Sequence, residues 1–156
     1  MEGDECLETV KIYLSGSMLG VSFEEQSKWR RQIMDAIKYN YECEKKAVFF
    51  NPVNYYNFEE IRHRSEREVM EFDLYNLRNS NLVVVNFNDA KSIGTAMELM
   101  LAKERNIPVI GFGAKGQIVH PWLLECCTRV CDSLKEVVEH ITTFYLNYGI
   151  PFELKK

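Results

Sequence analysis

The segment from Arg67 to Gly113 constrains the fold of this chain more than any other, because it contains a strand that must be covered on both faces. That strand is Leu82–Phe87, a nearly continuous run of β-branched and apolar residues (LVVVNF). Such runs are typical of parallel sheets, whose two faces both pack against helices. Helical periodicity precedes the strand over Arg67–Asn79 and resumes after it at Gly94. The segment therefore predicts a helix, a buried strand and a second helix in succession.

Two carboxylates occupy unusual positions in this segment. Asp73 lies on the apolar stripe of the first predicted helix, and Glu98 falls in the first turn of the second, just beyond the carboxyl end of the strand. A lone carboxylate on an apolar face costs free energy unless it is paired, for example with Arg78, or functional. Ligands of open parallel sheets bind at the carboxyl ends of the strands. The stripe around the first carboxylate consists of Val69, Met70, Leu74 and Leu77.

The rest of the chain continues the alternation of strands and helices. Further strands are predicted at Thr9–Ser15, Lys46–Phe50, Ile107–Phe112 and Thr128–Cys131. Helices are predicted after the capping boxes that begin at Ser22 and Ser133, with a short helix at Pro121–Cys127. The inward face predicted for the helix after Ser22 consists of Phe23, Trp29, Ile33, Ala36 and Ile37. The pattern predicts a doubly wound parallel sheet of five strands with helices on both faces, in a single domain over residues 1–156.

Composition and charge exclude several classes of function. A net charge of −4 argues against binding of a nucleic acid polymer, which requires a basic face. No apolar run approaches the roughly 20 residues of a membrane span. The five cysteines contain no C-x-x-C pair, so we expect reduced thiols and neither a metal nor an organic cofactor. The acidic start of the chain has no signal-peptide pattern, and we expect a cytoplasmic protein.

The segment Gly111–Gly116 matches the G-x-G-x-x-G pattern of dinucleotide-binding loops. The residues that follow, Gln117 to Pro121, do not begin a helix, and no βαβ unit with an acidic residue about 20 positions further on completes the motif. We therefore interpret the glycines as a surface loop.

Three segments together resemble the nucleoside 2-deoxyribosyltransferase family, which includes the related 2'-deoxynucleoside 5'-monophosphate N-hydrolases. They are D-L-x-x-L-x-x-S-N-L-V-V-V from Asp73, S-I-G-T-A-M-E-L-x-x-A from Ser92, and I-P-V-I from Ile107. The first strand, K-I-Y-L-S-G-S from Lys11, is similar to the family's opening Tyr-x-x-Gly-Ser. The resemblance covers residues 9–113 and implies a flavodoxin-like, Rossmann-like three-layer α/β/α fold.

The resemblance implies roles for three residues. Glu98 corresponds to the nucleophilic glutamate of the family, Asp73 to an aspartate that acts near the nucleobase, and Tyr13 to a tyrosine that positions the glutamate. A carboxylate close to a helix N-terminus is held ionised by the helix dipole, which suits a nucleophile. Structural alternatives stay open, since Thr95-x-x-Glu98 also reads as a capping box and Tyr13 could simply pack in the core.

The substrate site predicted from the sequence lies in the loops that follow the strands. Gly16 permits close approach of the backbone, and the hydroxyls of Ser17 and Ser92 could bind an anion, with Gly94 beside them. In the resemblance, serine at position 92 is typical of the monophosphate hydrolases and aspartate of the transferases. The hydrolases also carry a basic residue where this chain has Met18; Lys115 or a neighbouring subunit could replace it. Aromatic residues that could stack on a nucleobase are Tyr55 and Tyr56.

Two classes of function follow. The first is an enzyme that cleaves the N-glycosidic bond of a nucleoside or a nucleoside 5'-monophosphate and passes the sugar to another base or to water. The second is a non-catalytic nucleotide-binding or sensor module on the same fold, because fold alone does not decide function. In both, the expected partner is a small-molecule nucleoside or nucleotide. The resemblance also implies a homodimer or higher homo-oligomer in which a neighbouring subunit closes the site.

Overall fold

A computed structural model describes residues 7–40, 42–55, 63–89 and 91–147 of the chain. Its five strands form one parallel sheet in the order β2-β1-β3-β4-β5. In chain order the elements are β1 (Thr9–Gly16), α1 (Phe23–Asn40), β2 (Lys46–Phe50), α2 (Glu66–Arg78), β3 (Leu82–Asn86), α3 (Ile93–Glu104), β4 (Val109–Phe112), α4 (Pro121–Glu125), β5 (Arg129–Val130) and α5 (Leu134–His140). A single 3-10 turn follows β2, and α5 continues into a π-helical turn.

Two apolar cores, one on each face of the sheet, hold the helices in place. Alternate residues of β1 point to opposite faces, so Ile12 and Leu14 pack in one core and Tyr13 in the other. The first core is completed by α1 and α5, and the second by α2, α3 and α4. This arrangement of three layers confirms the predicted doubly wound, flavodoxin-like α/β/α fold.

The strand order creates a crevice between β1 and β3. The chain leaves β1 for α1 on one face of the sheet and leaves β3 for α3 on the other. In doubly wound sheets such a reversal of strand order is where ligands bind, beyond the carboxyl ends of the strands. A ligand-binding site is therefore expected among the residues that follow these two strands.

Helix α3 begins earlier than predicted. Its first residue is Ile93, and the Ser92 hydroxyl caps it by accepting a hydrogen bond from the backbone N–H of Thr95 at 3.2 Å. The predicted start at Gly94, and the capping box that begins at Thr95, are both wrong, because serine is the better N-cap and lies where the first free N–H groups need an acceptor. Glu98 consequently lies in the second turn of the helix, which removes it from the free backbone amides.

Two residues predicted to be inward are exposed. Phe23 is the first residue of α1 and is 37% exposed, and Met70 on α2 is 42% exposed. The buried face of α1 continues instead through Gln26 and Arg30, which are 1% and 0% exposed. Backbone carbonyls accept from the N–H groups of both side chains, which offsets part of the cost of burial, while Oε1 of Gln26 has no partner among the described residues.

The glycine-rich segment after β4 forms a turn, and no helix follows until α4 begins at Pro121. Gly113 adopts a φ of +79°, and a Cβ there would lie 2.7 Å from the Asn88 side-chain oxygen, so only glycine fits. Throughout the described ranges, no helix is both long and apolar enough to cross a membrane. The same part of the chain contains four free cysteines and no group of three or more His, Cys, Asp or Glu side chains that could hold a metal ion.

Candidate active site

A cleft of about 560 Å³ opens at the carboxyl edge of the sheet, between α2 and the N-terminal end of α3. It brings together five of the residues predicted from the sequence, although they come from three separate segments of the chain. Those five are Gly16, Asp73, Ser92, Gly94 and Glu98. The apolar part of the wall is contributed by Met18, Leu19, Val69 and Ile93. Such a mixture of apolar wall and few convergent polar groups is typical of small-molecule sites.

Two hydroxyl groups of β1 hold the carboxylate of Glu98. Tyr13 and Ser15 are two residues apart in the strand, so their side chains lie on the same face of the sheet. The Tyr13 hydroxyl donates to Oε1 of Glu98 at 3.1 Å, and the Ser15 hydroxyl donates to Oε2 at 2.5 Å. Both oxygens of the carboxylate are therefore engaged, and its orientation toward the cleft is set by the strand.

Tyr13 also packs in the core, so the functional and structural interpretations of this residue coexist. Its side chain is fully buried, and its ring stacks on Phe50 with the centroids 5.2 Å apart. Burial, followed by the charges of Glu98 and Asp73, raises the pKa of the Tyr13 hydroxyl well above its usual value. The phenol thus remains a hydrogen-bond donor at neutral pH.

Glu98 titrates near neutrality. Burial raises the pKa of its carboxyl group to about 7, while the hydrogen bonds from Ser15 and Tyr13 and the charge of Arg30 oppose that rise. The helix dipole expected to hold Glu98 ionised is replaced here by side-chain donors, because the residue lies in the second turn of α3. Near pH 7 a substantial fraction of Glu98 is therefore ionised.

Asp73 is the more basic of the two carboxylates. Burial, and then the nearby charge of Glu98, raise the pKa of Asp73 to about 8, with the charge of Arg30 opposing them. Its Oδ1 atom is buried and has no hydrogen-bond partner within the described part of the chain. Asp73 therefore holds a proton at neutral pH, in the same cleft in which Glu98 is partly ionised.

A buried cation lies beneath the site. The guanidinium of Arg30 is fully buried and donates to the backbone oxygens of Gly16 at 3.2 Å and Gln26 at 2.7 Å. It also lies over the ring of Trp29, 4.6 Å from the centroid. Burial lowers the pKa of Arg30 to about 10, so it remains charged at neutral pH. Its positive charge compensates the acidic pair from the opposite face of the sheet.

The two serines predicted to bind substrate lie in different environments. Ser92 lines the cleft, where its oxygen accepts from Thr95 while its proton is free to be donated. Ser17 donates to the backbone oxygen of Asp89 at 2.8 Å and lines a second cleft of about 410 Å³ on the α1 side of the sheet. The hydroxyl of Ser17 is therefore already engaged in joining the loops that follow β1 and β3.

Tyr55, which the sequence predicts as part of a stacking wall for a nucleobase, is not among the residues that line the cleft. Its ring is 58% exposed and stacks on Phe50 with the centroids 5.1 Å apart, while the edge of Phe72 approaches at 5.1 Å. Tyr13, Phe50 and Tyr55 form a continuous aromatic column that runs outward from the acidic pair. Tyr56 lies outside the described residues.

Sequence reasoning missed three residues of the site. Ser15 could have been found from its spacing, because it shares a strand face with Tyr13. Arg30 could have been found from the helical stripe that it shares with Gln26 and Ile33, where a charge stands among buried positions. Lys91 lines the cleft beside Ser92, whereas Lys115 lies in the turn after β4. No pattern within the sequence indicated which of the two lysines would lie nearer to the cleft.

Comparison with solved structures identifies proteins of the same architecture. The 2-deoxyribosyltransferase of Bacillus psychrosaccharolyticus superposes with a TM-score of 0.64 at 19% identity, over 83% of this chain and 90% of the other. The chain shares the fold of a 2-deoxyribosyltransferase. The resemblance to that family in the sequence is thus confirmed at the level of the fold.

Two further solved structures have the same fold. A conserved protein of Enterococcus faecalis V583 gives a TM-score of 0.65 at 17% identity, over 85% of this chain and 97% of the other. The CMP N-glycosidase of Clostridium botulinum gives a TM-score of 0.51 at 13% identity, over 84% and 97%. No protein-family model matches the chain, and no curated protein matches it.

Proposed function

We propose that this protein cleaves the N-glycosidic bond of a nucleoside or nucleoside 5'-monophosphate through a covalent glycosyl-glutamate intermediate. The observation that carries the proposal is the pair of carboxylates in one cleft: Glu98 is held by two hydroxyl donors, and Oδ1 of Asp73 has no partner among the described residues. Enzymes that break glycosidic bonds commonly use two carboxyl groups, and the environments of these groups give them different protonation states. The 2-deoxyribosyltransferase and CMP N-glycosidase among the structural neighbours support the same class.

In the first step, an oxygen of ionised Glu98 attacks C1' of the sugar, and the bond between C1' and the base nitrogen breaks. The electron pair of that bond leaves with the base, and the proton of Asp73 neutralises it. The products are a glycosyl ester on Glu98, a neutral base and an ionised Asp73. The raised pKa of Asp73, about 8, suits a group that must hold a proton until the base departs.

In the second step, an acceptor attacks C1' of the ester and releases Glu98. When the acceptor is water, Asp73 takes its proton and the product is the free sugar or sugar 5-phosphate. When the acceptor is another base, the base loses a proton to Asp73 and a new nucleoside forms. Each route restores Asp73 to its protonated form and Glu98 to its ionised form, so the cycle balances.

The substrate favoured by the cleft is a 5'-monophosphate. Ser92 can donate its hydroxyl proton to a phosphate oxygen while it caps α3, and the neighbouring residue Lys91, which is positively charged, lines the same cleft. Lys91 supplies the positive charge that Met18 does not. The N-terminus of α3 adds backbone N–H groups and a favourable dipole for an anion.

The proposal is tested by supplying deoxynucleosides and their 5'-monophosphates, with and without a second free base, and separating the products by chromatography. We expect base release, and we expect Glu98→Ala to reduce it by at least about a thousandfold, since a nucleophile is lost. Ser133→Ala, which removes a helix cap far along the chain in α5, serves as the matched control. Substantial residual activity of Glu98→Ala would contradict the assignment of the nucleophile. Binding of nucleotides without any release of base would favour the sensor module.

A further inference from the structure

Ser15 is a residue of the site for which neither the sequence motifs nor the proposed reaction requires a role. Its side chain is 1% exposed, and its hydroxyl donates to Oε2 of Glu98 at 2.5 Å, the shorter of the two hydrogen bonds on that carboxylate. We propose that Ser15 is a positioning residue, which holds the carboxylate of Glu98 against β1 and keeps it in its ionised, nucleophilic form. The chemical consequence rests on the proposed function, whereas the hydrogen bond does not.

The position of Ser15 excludes a direct chemical role. The hydroxyl is buried between β1 and α3, and the wall of the cleft at that point is formed by Glu98. A substrate in the cleft therefore meets the carboxylate of Glu98 first. Ser15 acts through that carboxylate and does not touch the reacting atoms.

The ionised form of Glu98 needs such a donor because the surroundings disfavour a negative charge. Burial is the largest influence on its pKa, and the hydrogen bond from Ser15 is the first of those that oppose it, ahead of Tyr13 and Arg30. A hydrogen bond from a hydroxyl stabilises a carboxylate more than a carboxylic acid, so it lowers the pKa of the group. The titratable and charged groups around the site are Tyr13 of β1, Arg30 of α1, Glu66 and Asp73 of α2, and Asp89 and Lys91 of the loop before α3.

The second hydroxyl on the carboxylate cannot replace the first. Tyr13 donates to Oε1 at 3.1 Å, and its ring is fixed by stacking on Phe50. When Ser15 is changed to alanine, Oε2 loses this donor and the space that opens is that of one oxygen atom. We expect the pKa of Glu98 to rise by about one unit, the size of one hydrogen bond to a charged group.

The test measures the pKa of Glu98 directly and the reaction separately. Carbon-13 NMR of glutamate side-chain carboxyl carbons gives the titration of Glu98 in the wild type and in Ser15→Ala, with Glu98→Gln used to assign the signal. Single-turnover base release is then followed from pH 6 to pH 9. Ser15→Thr keeps a hydroxyl at the same place. Ser27→Ala is the matched control, because it removes a buried serine hydroxyl that has no hydrogen-bond partner in the described structure.

If the inference is correct, the titration of Glu98 in Ser15→Ala moves upward by about one pH unit. Single-turnover base release by Ser15→Ala then falls about tenfold relative to the wild type at pH 6 and approaches it at pH 9, because a higher pH restores the ionised form. Ser15→Thr recovers the wild-type titration, and Ser27→Ala matches the wild type throughout.

An unchanged titration of Glu98 in Ser15→Ala would overturn the inference, and so would an equal loss of rate at every pH. If the titration moves while no variant, including the wild type, releases base, the positioning role stands and the proposed function fails. The two failures are therefore distinguishable.

Discussion

Asp73 and Glu98 have the same functional group, and their surroundings separate them. Glu98 accepts two hydrogen bonds from β1, whereas Oδ1 of Asp73 is buried without a partner in the described structure. The pKa of Asp73 is consequently raised further, to about 8 compared with about 7 for Glu98. The two hydrogen bonds favour the negative charge on Glu98, and the lack of a partner for Oδ1 among the described residues favours the proton on Asp73, which is the arrangement that the proposed reaction needs.

A buried acid with a raised pKa makes the stability of the protein depend on pH. The pKa of an aspartate in an unfolded chain is about 3.9, whereas that of folded Asp73 is about 8. Between these two values the folded state binds a proton that the unfolded state has lost. The free energy of unfolding contributed by Asp73 therefore falls as the pH rises through this window.

We predict that Asp73→Asn is more stable than the wild type by roughly 2–4 kcal/mol at pH 8 and nearly equal to it at pH 4, because asparagine has no proton to lose. Urea unfolding at pH 4, 6 and 8 measures the difference. Asp35→Asn, on the exposed face of α1, is the control and should show no such trend. A constant difference in the free energy of unfolding between Asp73→Asn and the wild type at all three pH values would show that folded Asp73 is not a buried, protonated carboxyl group.

At the scale of the element, the first turn of α3 combines a structural and a functional task. Ser92 caps the helix, and the same residue faces the cleft. An aspartate in that place would cap the helix equally well, since a carboxylate also accepts from backbone N–H groups and is favoured by the helix dipole. The two tasks can therefore be separated by one substitution.

We predict that Ser92→Ala loses about 1 kcal/mol of stability through the lost cap, while Ser92→Asp retains the stability of the wild type. If Ser92 contacts phosphate, Ser92→Asp should reduce kcat/KM for 5'-monophosphates by at least about tenfold, because a carboxylate repels the phosphate, and should affect free nucleosides less. Thermal unfolding and steady-state kinetics measure the two effects. Equal effects on both substrate classes would contradict a contact between Ser92 and the phosphate group.

At the scale of the whole molecule, α3 and α4 expose several large apolar side chains. Ile93 and Met97 are 77% and 46% exposed, Met100 is 50% exposed, and Trp122 of α4 is 78% exposed. The three residues of α3 are spaced so that they share one face of the helix. Ile93 also lines the cleft, so anything that covers this face reaches the mouth of the site. We propose that a second copy of the chain covers it, in agreement with the homo-oligomer that the sequence resemblance implies.

We predict that Met97→Glu combined with Met100→Glu converts the protein to a folded monomer, because two charges cannot be buried at an apolar interface without partners. Light scattering after size-exclusion chromatography gives the mass, and circular dichroism checks the fold. Gln32→Glu, an added charge on the exposed face of α1, should leave the mass unchanged. A wild-type protein that is monomeric at working concentration would contradict the proposed pairing.

The sequence by itself determined the fold class, and it indicated Asp73 and Glu98 as candidate site residues. The apolar run at Leu82–Phe87 could only belong to a strand covered on both faces, and β3 is buried along its whole length. Asp73 was recognisable because a carboxylate interrupts an apolar stripe. The fold class and the choice of Asp73 depend on periodicity along the chain, which is local information, whereas Glu98 became a candidate through the resemblance of its flanking residues to the deoxyribosyltransferase family.

Only the tertiary structure decided how the carboxylates are held and protonated. Ser15 and Glu98 are separated by 83 residues, and their hydrogen bond exists because β1 lies beside β3 and α3 crosses back over that face. Arg30 influences both acids from the opposite face of the sheet. Hydrogen bonding and burial depend on distances between remote segments, and charge acts through space, so the pKa values of the site follow from the packed layers and not from the order of residues.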